Sequence, residues 1–132
     1  MAMNLLPDYR KKQLLLYTEH KSVGELIAYG DGYLEAGRIA DALEFYQKAN
    51  HTAGLEAIRD RSQRMGDVML FMQASKVLGQ APSPEDWLAV GQAAWKVKKY
   101  SFALLAFEKG GHDKLLQETE EIVRREVIEV SR

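Results

Sequence analysis

Three histidines, His20, His51 and His112, are the side chains of this 132-residue chain best suited by type to metal ligation or proton transfer. His51 and His112 lie in different halves of the sequence, no second histidine stands one helical turn from either, and the chain has no cysteine. The carboxylates that would have to join them, Glu56 and Asp113, do not complete the three or four convergent ligands a metal ion needs. The reading given to all three is a histidine near the C-terminal end of a helix, interacting with its last carbonyls and its dipole. Asp31 with Glu35, and Glu118 with Glu120 and Glu121, have the types for acid and base work. They fall on polar helix faces where nothing desolvates them. A G-x-S-x-G nucleophile turn and a phosphate-cradling glycine loop after a strand are both missing. The sequence therefore predicts no enzyme, no metal site and no cofactor.

Charge narrows the partners further. Eighteen Lys and Arg against nineteen Asp and Glu leave a formal net charge of -1, so no strong field attracts a polyanion at long range. The basic runs at 10–12 and 96–99 are short, and RNA binding through Lys96, Lys98, Lys99 and the N-terminal run is the weakest of three functional readings. No nucleic acid and no membrane is expected as a partner. The apolar run "QLLL" is too short for a signal segment or a membrane span. The absence of cysteine fits a reducing compartment, and the expected location is the cytoplasm.

Everything that must position these groups reads as helix. Only Pro7, Pro82 and Pro84 occur, and no segment alternates apolar and polar residues among β-branched ones. A first helix is expected over about 7–20, with Pro7 in its first turn and Leu14, Leu15 and Tyr17 on its buried side. A hairpin follows over 22–50. Ser22 caps its first helix in a capping box with Glu25, Leu26, Ile27, Gly30, Tyr33 and Leu34 form the stripe, and Gly37 ends it. Its second helix turns Ile39, Ala42, Leu43, Tyr46 and Ala49 to one face. The next hairpin, 53–79, has Leu55, Ile58 and Met65 inward and Gly66 at the turn. After the loop "GQAPSPED", a third hairpin over 83–110 is capped by Ser83. Its first helix runs through Trp87, Val90, Gly91, Ala94 and Trp95 to about Lys98, its second buries Ala103, Leu104 and Phe107, and Trp87 and Tyr100 are among the core aromatics. A last helix over about 113–130, capped by Asp113, carries Leu115, Leu116, Thr119, Ile122, Val123 and Val127.

The first and third hairpins repeat. With Gly30 laid on Gly91 and no gap introduced, Ala28 falls on Ala89, Ala42 on Ala103, Lys48 on Lys109, His51 on His112 and Leu55 on Leu116, with Tyr46 on Phe107. Gly30 is expected to sit where the second helix comes close, opposite the small Ala42. Gly32 does not recur, and the sequence offers no reason for it. The stretch with Leu26, Tyr29-Gly30, Tyr33, Gly37, Ala42, Tyr46 and Ala49 resembles a tetratricopeptide repeat. Trp87, Val90-Gly91, Tyr100, Ala103 and Phe107 are similar, although Ala94, Lys98 and Gly110 depart from the pattern. The middle hairpin lacks the small-residue pattern and is degenerate.

The resemblance implies an all-α fold, a short right-handed α-solenoid of about three antiparallel helical hairpins, in one domain of 132 residues with an extra helix at each end. It also implies a groove lined by the first helix of each hairpin, here Ile27, Asp31, Leu34 and Glu35 and, one repeat pair later, Leu88, Gln92, Trp95 and Lys96. Members of the family that grip acidic chaperone C-termini use Lys and Asn on this face. Ile27, Asp31, Leu88 and Gln92 occupy those sites, so an apolar or mixed ligand is expected. The functional expectation is a non-catalytic protein-protein interaction module, a scaffold or adaptor, binding a peptide or helix of a partner on its concave face. The alternative is a self-assembling structural protein, a homodimer through the apolar helix 67–78.

Overall fold

A computed structural model describes residues 6–17 and 20–131. Among these residues the protein is all-α, with no strand: α1 (Tyr9–Tyr17), α2 (Val23–Glu35), α3 (Ile39–Lys48), α4 (Thr52–Met65), α5 (Val68–Leu78), α6 (Pro84–Lys96), α7 (Tyr100–Gly110) and α8 (Asp113–Ser131). None of these helices is long and apolar enough to cross a membrane. The chain divides into two compact units, Met1–Ile58 and Arg59–Arg132, with the division inside α4.

In the first unit α2 packs on α3, and α1 also packs on α3. Ser22 starts α2: its Oγ accepts the Glu25 N–H at 3.1 Å and donates to Glu25 Oε1. The core takes Leu26 and Tyr33 from α2 and Ile39, Ala42, Leu43, Tyr46 and Ala49 from around α3, as periodicity predicts. Phe45, which the stripe omits, is fully buried because its ring stacks between Tyr29 and Tyr33, with centroids 5.6 and 5.4 Å away. In the second unit α6 packs on α7, α8 on α7, and α5 against both α6 and α7. Val68, Phe71, Trp87, Val90, Ala94, Ala103, Ala106 and Phe107 form one buried cluster. A large apolar side chain contributes about 1.5–3 kcal/mol when fully buried.

Helices α2 to α7 end alike. The N–H of residue 37, 50, 66, 79, 98 or 111 bonds to the carbonyl three positions back, and the next N–H bonds to the carbonyl five positions back, all at 2.9–3.3 Å. This is the Schellman closure, which needs a left-handed residue. Gly37, Gly66, Gly79 and Gly111 supply it at no steric cost, whereas Asn50 and Lys98 adopt φ of 52° and 62°. The closures pair off as Gly37 with Asn50, Gly66 with Gly79, and Lys98 with Gly111, at one constant spacing, so the middle hairpin ends its helices as its neighbours do. The turns between paired helices fall at Gly37, Gly66 and Lys98, and the alignment of the first hairpin on the third is the sum of these two unequal steps.

The same steps align one cross-helix position in all three hairpins. A Cβ on Gly30 would stand 2.5 Å from the Tyr46 ring, and one on Gly91 2.6 Å from the Phe107 ring. The residue opposite Gly30 is thus the buried Tyr46 and not Ala42, because the ring lies across the glycine. In the middle hairpin the sizes are exchanged. Arg59 stands at the glycine position and Ser75 at the aromatic one, with Arg59 Nε donating to Ser75 Oγ at 2.8 Å and the guanidinium 4.9 Å from the Phe71 centroid. The degeneracy read in the sequence is a swap of volume across the same contact.

Other expectations are corrected. Pro7 precedes α1, His20 lies outside a helix, and residues 18 and 19 of the expected first helix fall outside the described residues. Leu14 and Tyr17 are exposed, while Lys12, Leu15 and Leu16 are buried. The face is set by Lys12, whose ammonium meets Asp41 of α3 at 2.6 Å and pairs with Glu44. Burial opposes the charge, yet the hydrogen bond to Asp41 and the pairing with Glu44 hold the lysine above its usual pKa. Met65 is exposed and Ser62 is buried in its place. Met65 lies about 80° from Leu55 round the helix, at the edge of the buried arc, whereas Ser62 lies about 20° away. Tyr100 and Leu104 are half-buried. α6 stops at Lys96, short of the expected end, because Lys98 takes the left-handed conformation. Asp113 is the first residue of α8 and not its cap; the His112 carbonyl accepts the Leu116 N–H.

Two substitutions test the closure and the contact. Gly91→Ala should lower stability in chemical denaturation by about 1–3 kcal/mol, since overpacking against a fully buried ring outweighs the gain in helix propensity. Lys98→Gly should raise it by about 0.5–1 kcal/mol by relieving the left-handed lysine.

Candidate functional site

The residues predicted to line one groove separate by environment. In the first unit, a groove of about 430 Å³ is lined by Glu25, Tyr29, Asp31, Gly32 and Glu35 of α2 together with Leu6. Asp31 and Glu35 are therefore on it, while Ile27 and Leu34 are half-buried and do not line it. Tyr46 crosses α2 at the Gly30 notch and donates its hydroxyl to Asp31 Oδ1 at 2.5 Å, which fixes the carboxylate at the groove's edge. Burial, and then the neighbouring Asp31, push the Tyr46 phenol well above its ordinary pKa, so it stays a donor. Gly32, unexplained in the sequence, lies under Leu6: a Cβ there would approach the leucine tip to 3.3 Å. Glu25, Asp31 and Glu35 thus give this groove an acidic rim around Leu6, Ala28 and Tyr29.

In the second unit, Gln92, Trp95 and Lys96 of α6 face Leu115, Glu118 and Thr119 of α8 across a groove of about 320 Å³, with Phe107 of α7 at its floor. Trp95 packs edge-on to Tyr100, with centroids 6.3 Å apart, and leaves 43% of its surface exposed. An aromatic wall, an apolar floor, and one cation and one carboxylate at the rim suit a mixed peptide. Leu88 is not part of it and packs against the hydrophobic cluster.

A third and more apolar cleft, of about 530 Å³, lies between α5 and the 79–82 loop, with Met69, Met72, Lys76, Pro82 and Trp87 among its walls. This stretch is the helix of the alternative, homodimeric reading. Val68, Leu70, Phe71 and Ala74 of α5 are buried in the core, and Met69 is half-exposed at the cleft. The signal that could have found it was the methionine run next to the chain's clearest loop.

The loop after this cleft is pinned at its far end. Ser83 and Asp86 form a capping box at the start of α6, and Asp86 Oδ2 also accepts from the Arg59 guanidinium at 3.1 Å. Gln63 adds a bond to the Asp86 carbonyl. The Ser83 N–H and the Arg59 side chain outweigh burial and hold the Asp86 carboxyl below its usual pKa. His112 completes the anchor with Nε2 2.8 Å from the Pro84 carbonyl. A carbonyl only accepts, so Nε2 carries the hydrogen. His51, its repeat equivalent, tilts over the Tyr46 ring at 5.1 Å. Among the described residues no group of three or more His, Asp or Glu is placed to hold a metal ion.

The class defined by these features is an all-α protein of helical hairpins with a recurring cross-helix contact. No protein-family model, no curated protein and no solved structure matches the chain. The functional reading therefore rests on the side chains themselves.

The anchor predicts an acid-sensitive step. Because the Asp86 pKa is lowered on folding, its contribution is present above the usual aspartate value of about 3.9 and is lost as pH falls through the lower folded value. Asp86→Asn should reduce stability at neutral pH by about 1 kcal/mol and flatten the loss of stability below about pH 4, measured by urea denaturation across pH.

Proposed function

We propose that this protein is a non-catalytic interaction module, a short tetratricopeptide-like solenoid that binds a peptide or helix of a partner protein along the first helices of its hairpins. The observation that carries this reading is Trp95. A tryptophan held edge-on by Tyr100, with nearly half its surface open beside a groove of apolar and charged residues, has the form of a binding anchor. The repeated hairpin geometry supports the solenoid, since each hairpin ends its helices alike and the first and third keep one tight cross-helix contact. The acidic groove on α2 supports a ligand that carries basic residues, and Lys96 with Glu118 supports a ligand of mixed character at the second groove.

The test is selection of peptides from a random display library, followed by titration of the chosen peptide, carrying a fluorescent label, with its anisotropy as the readout. Trp95→Ala should weaken binding at least tenfold, about 1.4 kcal/mol, while leaving the melting temperature within a few degrees of wild type. Asp31→Asn should weaken only peptides that carry Lys or Arg. Equal binding by wild type and Trp95→Ala would remove the reading.

A further inference from the structure

The three turns inside the hairpins close alike but differ in charge. Gly37 and Gly66 take the left-handed position in the first two, whereas Lys98 takes it in the third at a φ of 62°. A side chain there carries strain that glycine would avoid, and strain of this kind clusters at functional positions.

The cations of the first two turns are engaged within their own hairpins. Arg38 pairs with Asp41 at 2.8 Å and lies over the Tyr33 ring, and Arg64 pairs with Asp60 at 3.0 Å. The third turn reads Lys96, Val97, Lys98, Lys99, and all four residues are exposed. From Trp87 to Phe107 these three lysines are the only charged residues, so no carboxylate lies within about two helical turns of them along α6 or α7. None of the three ammonium groups meets an acidic side chain among the described residues.

The lysines stand beside the open tryptophan. The Lys98 N–H donates to the Trp95 carbonyl at 3.0 Å and the Lys99 N–H to the Ala94 carbonyl at 2.9 Å, which folds both residues back over the last turn of α6. The edge contact of Trp95 with Tyr100 closes the same turn from its two ends. Lys96 is already a wall of the groove, and the carboxylate there, Glu118, comes from α8 on the opposite wall. An apolar floor at Phe107 and Leu115 and an exposed indole therefore border a turn with three uncompensated positive charges.

We propose that the peptide bound at Trp95 carries, next to the apolar residue seated on the indole, Asp or Glu side chains that lie against Lys96, Lys98 and Lys99. The inference rests on the peptide-binding reading and adds the class of ligand. Complementary charge at a rim decides which partner is accepted more than how tightly it is held. A nucleic acid strand would also meet the lysines, but the Glu118 carboxylate, the small number of cations and the apolar floor favour a peptide.

The experiment uses the selected peptides whose binding is lost in Trp95→Ala, resynthesised with an amidated C-terminus so that only side-chain carboxylates remain. These peptides should be enriched in Asp and Glu beside an apolar residue. In anisotropy titrations Lys98→Asn, which places a residue at ease in the left-handed conformation, should weaken binding about threefold with no fall in melting temperature. Lys96→Gln, Lys98→Asn and Lys99→Gln together should weaken it about tenfold. Changing the peptide's Asp and Glu to Asn and Gln should cost the wild type the same factor and the triple variant almost nothing. Raising the salt from about 50 to about 500 mM should remove most of the difference between the two proteins. Trp95-dependent peptides without acidic enrichment, or equal binding by wild type and triple variant, would overturn the proposal and leave the peptide reading standing. Displacement of the peptide by an equal concentration of a short oligouridylate would also overturn it, assigning the lysines to nucleic acid. If no selected peptide depends on Trp95, both readings fall together.

Discussion

The first and third hairpins depend on one close approach, where a side chain of the second helix lies across the backbone of the first. Gly30 receives the ring of Tyr46 and Gly91 receives that of Phe107, and either contact would be blocked by a single methyl group. The middle hairpin shows that shape, not residue type, is the constraint. With Arg59 at the glycine position, the opposing residue is the small Ser75, whose hydroxyl accepts from the guanidinium at 2.8 Å. Volume across the contact is exchanged and not lost, as a close-packed interior demands. The repeat is therefore clear where a glycine marks it and hidden where the volume has changed sides.

The helix ends hold this contact in register. Six consecutive helices terminate through the same pair of backbone bonds, and the second helix of every hairpin lies between closures at one constant spacing. The α5–α6 connection lies outside the hairpins, and it is fastened by Ser83, Asp86, Arg59 and His112. Those groups make a firm start for α6, the helix that presents Gln92, Trp95 and Lys96. The same serine-aspartate pair that ends the loop thus also positions the open tryptophan.

The two end helices contrast with this interior. Lys12 ties α1 to α3 through Asp41 and Glu44, an arrangement that spends a buried cation on orientation, since breaking such a pair costs more than the pair itself adds. With that face fixed, Leu14 and Tyr17 point outward. On α8 Thr119 is buried, returning its hydroxyl to the Leu115 carbonyl, Ile122 and Val123 are half-buried, and residues 124–130 are exposed.

Helix order, most helix ends, the recurrence of the first hairpin in the third and the core stripes on α2 and α3 were determined by the sequence itself, because helical periodicity, Ser caps and terminal glycines act within a few residues of chain. Which arc of a helix is covered depends on neighbours distant in sequence, and that only the tertiary structure decided. It buried Phe45 between two tyrosines, chose Ser62 over Met65, and turned α1 about Lys12. It also divided the eight predicted groove residues. Asp31 and Glu35 line one groove and Gln92, Trp95 and Lys96 another, while Ile27, Leu34 and Leu88 line neither, since the edge of an apolar stripe becomes groove or core according to the helix beside it.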